Sequence, residues 1–204
     1  MLDLTGGREW LRAPFDLMFQ QTVDRTPSRI WVADQAPPVW MARFETFPII
    51  EAEADALEAQ IMGLRGALVP FWCHTARRPV PLSVEAETAP ALGAPVVAGI
   101  GADRDALSLS GLPAGFVLSA GDFVSVDLGA DRAALIRLVG SGVADGAGVT
   151  PAIPVVPGVA AGVAVGMAAR LDRPRMAAQM VPGSYSRASD GYAHEIIAFQ
   201  VQEV

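Results

Sequence analysis

Three side chains in this sequence could take part in nucleophilic chemistry: Cys73, His74 and His194. A nucleophile needs a base and an orienting group within hydrogen-bond reach. Cys73 and His74 are adjacent on a segment that reads as a strand, where neighbouring side chains point to opposite faces, so they cannot serve one another. His194 would have to approach Cys73 across a sheet, and nothing in the spacing favours that over two unrelated side chains. A lone cysteine excludes an intrachain disulfide framework, and its type favours a buried structural thiol. Gly140-Ser141-Gly142 lacks the remainder of a nucleophile elbow.

Metal and phosphate chemistry fare no better. One cysteine and two separated histidines do not make a zinc ligand set. Asp103 with Asp105, and Asp122 with Asp127, suggest calcium, yet neither pair sits in a twelve-residue loop ending in glutamate. Solvated turn carboxylates are the simpler expectation. Gly99-x-Gly101 and Gly140-x-Gly142-x-x-x-Gly146 have the wrong spacing for a dinucleotide fingerprint, and no strong helix follows either. Arg77 and Arg78 could hold phosphate or carboxylate, although arginines at a strand end usually form a solvated edge. No catalytic, cofactor-binding or metal-binding residue is therefore expected, and a Cys73 or His194 enzyme ranks last.

Composition narrows the classes further. The chain has 204 residues, 51% hydrophobic and 18% charged, which suits one substantial domain or two small ones and is not that of a disordered chain. Its mean hydropathy is positive (+0.35), consistent with apolar surface buried between subunits or with an Ala- and Val-rich composition. All fifteen basic residues are arginine; with no lysine, Walker A, Schiff-base and Ser-x-x-Lys chemistries are excluded. A net charge of −7 gives no broad basic patch for nucleic acid. The N-terminus lacks the features of a secretory signal. The uncharged run from Ala147 to Ala169 is broken by Pro151, Pro154 and Pro157, so no membrane insertion is expected.

The elements that must position these residues centre on Trp40–Trp72, which reads as strand, helix, strand. Val39–Phe47 alternates, with Trp40, Ala42 and Phe44 on one face and Met41, Arg43 and Glu45 on the other. Glu51–Arg65 is the one convincing helix, amphipathic, with Glu51, Glu53 and Asp55 in its first turns and Leu57, Ile61 and Leu64 as its apolar stripe. Gly66 is placed as its cap, and Ala67–His74 as the departing strand. Around this core the sequence predicts extended segments near Phe15–Val23 and at Arg29–Ala33, a turn at Asp34-Gln-Ala-Pro-Pro38, and a loose connection from Pro79 to Ala106. A strand at Ala106 follows. The strand after the Ala120-Gly-Asp turn pairs through Gly129-Ala-Asp-Arg132 with Ala133–Val139 as the best hairpin. Further strands are expected at Gly162–Leu171, Arg175–Val181 and Tyr192–Glu203. The fold class is mainly β with one principal helix, a β-sandwich or barrel flanked by that helix. Residues 1–85 form an N-terminal strand-helix-strand region and 86–204 a β-rich region, either separate or packed as a single β-sandwich.

Two passages together resemble structural proteins of long-tailed bacteriophages and gene-transfer particles. The first is Trp40-x-Ala42-x-Phe44, the Ala- and Glu-rich helix ending Gly63-Leu-Arg-Gly66, and Pro70-Phe71-Trp72. The second is Gly121-Asp-Phe-Val-Ser-Val126, leading into Leu135–Val139 and an Ile153-Pro154 loop. The layout is similar to tail-tip components of the distal-tail or tail-adaptor kind, and in outline to tail-tube proteins. The resemblance implies a non-enzymatic subunit of a homohexameric ring in the virion tail, assembled in the bacterial host cytoplasm. It implies contacts with tail-tube and tip-hub proteins, a channel through which DNA passes only as cargo, and no cofactor. An acidic lumen would suit that passage, because basic side chains hold phosphates. The alternative is a small sugar- or receptor-binding β-sandwich whose stacking aromatics come from Trp10, Trp31, Tyr185 or Tyr192.

Overall fold

The computed structural model describes residues 1–5, 8–84, 92–189, 191 and 193–204. Its fold is mainly β with a single helix, the sheets curling into a half-barrel. In chain order the strands are β1 (Trp10–Arg12), β2 (Phe15–Thr26), β3 (Arg29–Thr46) and β4 (Ile49–Ile50), followed by the helix α1 (Glu51–Gly63). Then come β5 (Phe71–His74), β6 (Val96–Ile100), β7 (Ala106–Ser110), β8 (Val117–Leu118), β9 (Phe123–Asp127), β10 (Ala133–Leu138), β11 (Gly142–Val143), β12 (Ile153–Val156), β13 (Ala169–Arg170), β14 (Arg175–Met180), β15 (Ser186–Ser189) and β16 (His194–Glu203).

An eight-stranded sheet runs β1-β3-β16-β14-β5, with β2 also on β3 and β4 and β15 on β16. Strands from both sides of residue 86 therefore share one sheet: β16 pairs with β3 and β14 with β5. The segment between contributes a six-stranded sheet, β13-β9-β10-β12-β7-β6, and a small β8-β11 pair. The chain around 166–169 bonds to β6 as well, through Val97 N to Met167 O and Ala169 N to Pro95 O, which ties the two outer strands together. Such closure leaves that sheet little free edge.

Alternation in β3 works as expected. Trp40, Ala42 and Phe44 are buried while Arg43 is exposed. The core of the eight-stranded sheet gathers these with Phe71, Cys73, Met176, Ile197 and Phe199. Phe44 stacks on Phe199 at 5.5 Å, and Trp10 meets both rings edge-on. Helix α1 lays Ala54, Leu57 and Ile61, with Leu64 just beyond its end, into the same core. Its end comes two residues before the expected Arg65, because Arg65 itself takes a left-handed φ of 54° and Gly66 follows at 69°. The N-cap, Ile50, has no capping side chain, and Glu51 and Glu53 provide the negative charge that suits the exposed N–H groups. Thr46 accepts a bond from Ile197 N (3.0 Å), filling the gap on β16 between β3 and β4.

The β9–β10 hairpin forms in the expected place, Ala133 opposite Asp127. Several expectations need correction. The turn at residues 34–38 does not exist: Arg29–Thr46 is one strand, and Pro37 and Pro38 sit where the register with β2 shifts between Met18 and Gln20. Bulged positions tolerate proline because no ladder donor is required there. The strand before His74 is only Phe71–His74, since Arg65, Gly66 and the turn around them occupy the preceding residues. Gly162–Leu171 is mostly turn, with only Ala169–Arg170 as strand. Conversely, β6 lies in the connection read as loose, and Ile153-Pro154 belongs to a strand. Part of that connection, residues 85–91, lies outside the described residues.

Candidate functional site

The most extended exposed feature is an arm built by β2 and β3. Its root is fixed by Trp40. The Trp40 indole Nε1 donates to Leu135 O at 2.7 Å, and its ring meets Phe123 edge-on at 5.6 Å. Strand β16 pairs with β3 only over Met41–Glu45. At the next position the Glu203 carboxylate accepts from Trp40 N (3.2 Å) in place of a neighbouring strand, and burial pushes its pKa up. Beyond Trp40, β3 has β2 as its one partner among the described residues, out to Arg29 opposite Thr26.

The arm therefore leaves the molecule as a two-stranded ribbon roughly 30 Å long at about 3.3 Å per residue. Thr26 and Arg29 clamp its tip by reciprocal bonds, and Gln21 donates to Asp34 at 2.8 Å along its length. Met18, Phe19, Val23, Ile30, Trp31 and Val32 are all at least half exposed on it. Val23 faces Val32 across the ladder, whereas Trp31 faces Asp24 on the opposite side, so both faces of the ribbon carry apolar groups. The far edge of the same sheet is treated differently. There the N-terminal residues cover β5: Trp72 N donates to Leu2 O and His74 N to Thr5 Oγ1. That edge is capped, whereas the arm projects with no further strand beside it among the described residues.

Cys73 is fully buried in the core, and desolvation pushes its thiol well above the ordinary range, the reverse of an activated nucleophile. His74 sits on the opposite face of β5. Its Nδ1 donates to Arg173 O (2.9 Å) and its Nε2 lies 3.0 Å from Asp3 Oδ2. His194 begins β16 beside Ile50, whereas Cys73 pairs with Met176 on β14 near the other end of that sheet. By strand register the two are on the order of 30 Å apart. They form no pair.

Asp103 and Asp105 lie exposed around a turn, as expected. Asp122 does not fit the expectation of a solvated carboxylate. It is fully buried, accepting from Ser119 N (2.8 Å), Leu82 N (3.0 Å) and Arg78 Nη1 (3.3 Å). A turn aspartate followed by an apolar strand can cap its own loop, and that signal was available in Gly121-Asp-Phe. Asp127 forms a two-point pair with Arg175, whose guanidinium lies 3.9 Å from the Trp72 ring centroid. No cluster of three metal-ligating side chains occurs among the described residues.

The glycine motifs serve packing. A Cβ on Gly140 would meet Pro154, and one on Gly142 would meet Ile153. Gly99 lies at the register shift between β6 and β7. Of the aromatics proposed for stacking sugars, Trp10 is half-buried against Phe44 and Phe199, and its indole donates to Thr5 O. Desolvation of the buried Tyr185 hydroxyl, with Glu58 beside it, pushes its pKa up to about 12. Tyr192 lies outside the described residues, and Trp31 belongs to the arm.

Sequence reasoning missed one polar cluster. Arg187 on β15 bonds to Asp55 (2.8 Å) and Glu58 (2.6 Å) of the helix and to Glu195 (3.4 Å) of β16. Hydrogen bonding by Arg187 holds Glu58 below the usual carboxylate range, and the three carboxylates raise Arg187 in turn. The cluster pins α1 to the β15–β16 hairpin. No helix among the described residues is long and apolar enough to cross a membrane. No protein-family model matches this sequence, and no curated protein matches it.

Proposed function

We propose that this chain is a structural subunit of a phage-type tail tip, assembling through its arm into a homohexameric ring that joins the tail tube to the tip complex. The ring surrounds a channel for DNA and belongs to a virion tail built in the bacterial host cytoplasm. The observation that carries this reading is the arm itself. A two-stranded ribbon is marginal in water without further strands or a packed face. Free ladder edges flanked by exposed apolar side chains invite a second chain. Here the far edge of the large sheet is covered by the N-terminus and the six-stranded sheet is tied between its outer strands, whereas the arm carries no further strand among the described residues.

In this account each arm lies against its neighbour's sheet, and its Met18, Phe19, Ile30, Trp31 and Val32 become buried on assembly. Heterologous contacts of this kind close into rings when the rotation between copies permits. The resemblance of Trp40–Trp72 and Gly121–Val126 to tail-tip proteins supports the same conclusion. The native mass of the purified chain, with particle averaging by electron microscopy, tests it. Six-fold rings are expected. A monomer that binds glycans would instead favour the sugar-binding alternative.

A further inference from the structure

A second surface, independent of the arm, lies where the two sheets meet. A cleft of about 690 Å³ opens between the start of β2, the connection after β5 and the turn into β9, and Arg77, Arg78 and Arg137 line it together. In a chain of net charge −7, three arginines lining one cleft are a local reversal of sign.

Its construction is specific. Gly121 has φ +93°, and an added Cβ there would stand 2.9 Å from Arg78 Nη1 and 3.7 Å from Arg137 Nη2. The absent side chain is what lets both guanidinium groups converge on one spot. Arg78 is held from behind by the fully buried Asp122. Arg137 lies over the Phe123 ring at 5.5 Å, which restrains its plane. Asp122 offsets Arg78 from behind the wall, but Arg77 and Arg137 make no ion pair among the described residues, and Asp16 is the acid that lines the cleft. Beside these cations the wall carries an apolar patch of Pro14, Phe15 and Leu82, with Thr75 and Asp16 as its polar members.

We infer that this cleft binds a carboxylate carried on an apolar body, the guanidinium of Arg137 engaging its oxygens with Arg77 adding charge. Planar guanidinium forks match carboxylate geometry, and a pocket of this volume accepts a ligand of peptide or small organic size. The apolar patch selects an organic acid over a bare inorganic anion, because phosphate has nothing to bury against Pro14, Phe15 and Leu82.

Calorimetric titration with N-acetylphenylalanine, its uncharged amide and inorganic phosphate tests the assignment on the full chain. Saturable binding of the acid is expected, with the amide and phosphate each weaker by about tenfold or more, the factor lost with a charge-assisted hydrogen bond. Arg137→Gln and Arg77→Gln should each weaken the acid. Arg77 is exposed, so its variant guards against a folding artefact, with an unchanged melting temperature as the check. No saturable binding of the acid, equal binding of the amide, tighter binding of phosphate, or undiminished affinity in folded Arg77→Gln and Arg137→Gln variants would each overturn it. Ring formation is read separately, so failure of one proposal leaves the other standing.

Discussion

Replacing Leu57 by alanine removes three carbons from a side chain that is 0% exposed. At about 0.8 kcal/mol per buried CH₂, the transfer contribution is about 2.4 kcal/mol. The flanking core positions on the helix are Ala54, too short to fill the gap, and Ile61, held on the same face, so the site collapses incompletely and a cavity contribution of about 1 kcal/mol is added. The expected loss is about 3.5 kcal/mol. For a chain of this length that lowers the melting temperature by about 7–14 °C. The assay is urea unfolding followed by circular dichroism and tryptophan fluorescence, alongside a thermal scan. Met62→Ala is the internal control, because Met62 lies on the same helix and is 66% exposed. It should change stability by less than about 0.5 kcal/mol. A Leu57→Ala variant within 1 kcal/mol of the parent, or a Met62→Ala variant equally damaged, would refute the packing of α1 on the sheet.

The remaining predictions concern the buried thiol and the charged clusters. Cys73 should resist thiol reagents at pH 8 in the native protein and react on unfolding. Since its folded pKa is raised, stability should fall as pH climbs past the ordinary thiol value, where only the unfolded chain ionises; fast native labelling would contradict this. Arg187→Ala should lower the melting temperature at neutral pH and low salt, leaving Asp55, Glu58 and Glu195 facing one another. Glu58 has a lowered folded pKa, so that stabilisation is present above the ordinary carboxylate range and disappears as pH falls through the folded value. A difference between parent and variant that persisted unchanged at acid pH would count against it. Glu203→Gln keeps an acceptor for Trp40 N and removes a desolvated charge, so the variant should melt higher than the parent at pH 7. Because the Glu203 pKa is raised in the fold, the two curves should converge in acid, where both states of the parent are protonated; a variant less stable at pH 7 would show that the carboxylate charge is needed there.

Much of the fold was legible where one physical preference acted alone. Leu57, Ile61 and Leu64 recur at helical spacing, and all three are buried. The β9–β10 hairpin announced itself by alternation around a glycine-led turn. The arm was harder to see, because apolar side chains on both faces of a ribbon produce no clean alternation, and Pro37-Pro38 read as punctuation. A bulge absorbs both prolines, which no local propensity can reveal. Strand β6 was hidden among prolines for a similar reason, as tertiary pairing with β7 overrides weak local signals. By sequence Asp122 reads as a solvated turn carboxylate and Arg77 and Arg78 as a solvated strand end, which holds for exposed Arg77 alone. Only the fold brings the carboxylate of one turn under the guanidinium of a segment 44 residues away. Long-range electrostatics of that kind leaves no trace in spacing.

As proposed above, the arm assembles this chain with copies of itself. Native mass spectrometry of the parent beside a Trp31→Asp, Val32→Asp double variant tests that assembly. Both residues are exposed on the single chain, so the variant should keep the parent's fold. A six-copy parent is expected, beside a monomeric variant that is still folded by circular dichroism. A parent that stays monomeric at micromolar concentration, or a variant that assembles as the parent does, would contradict it.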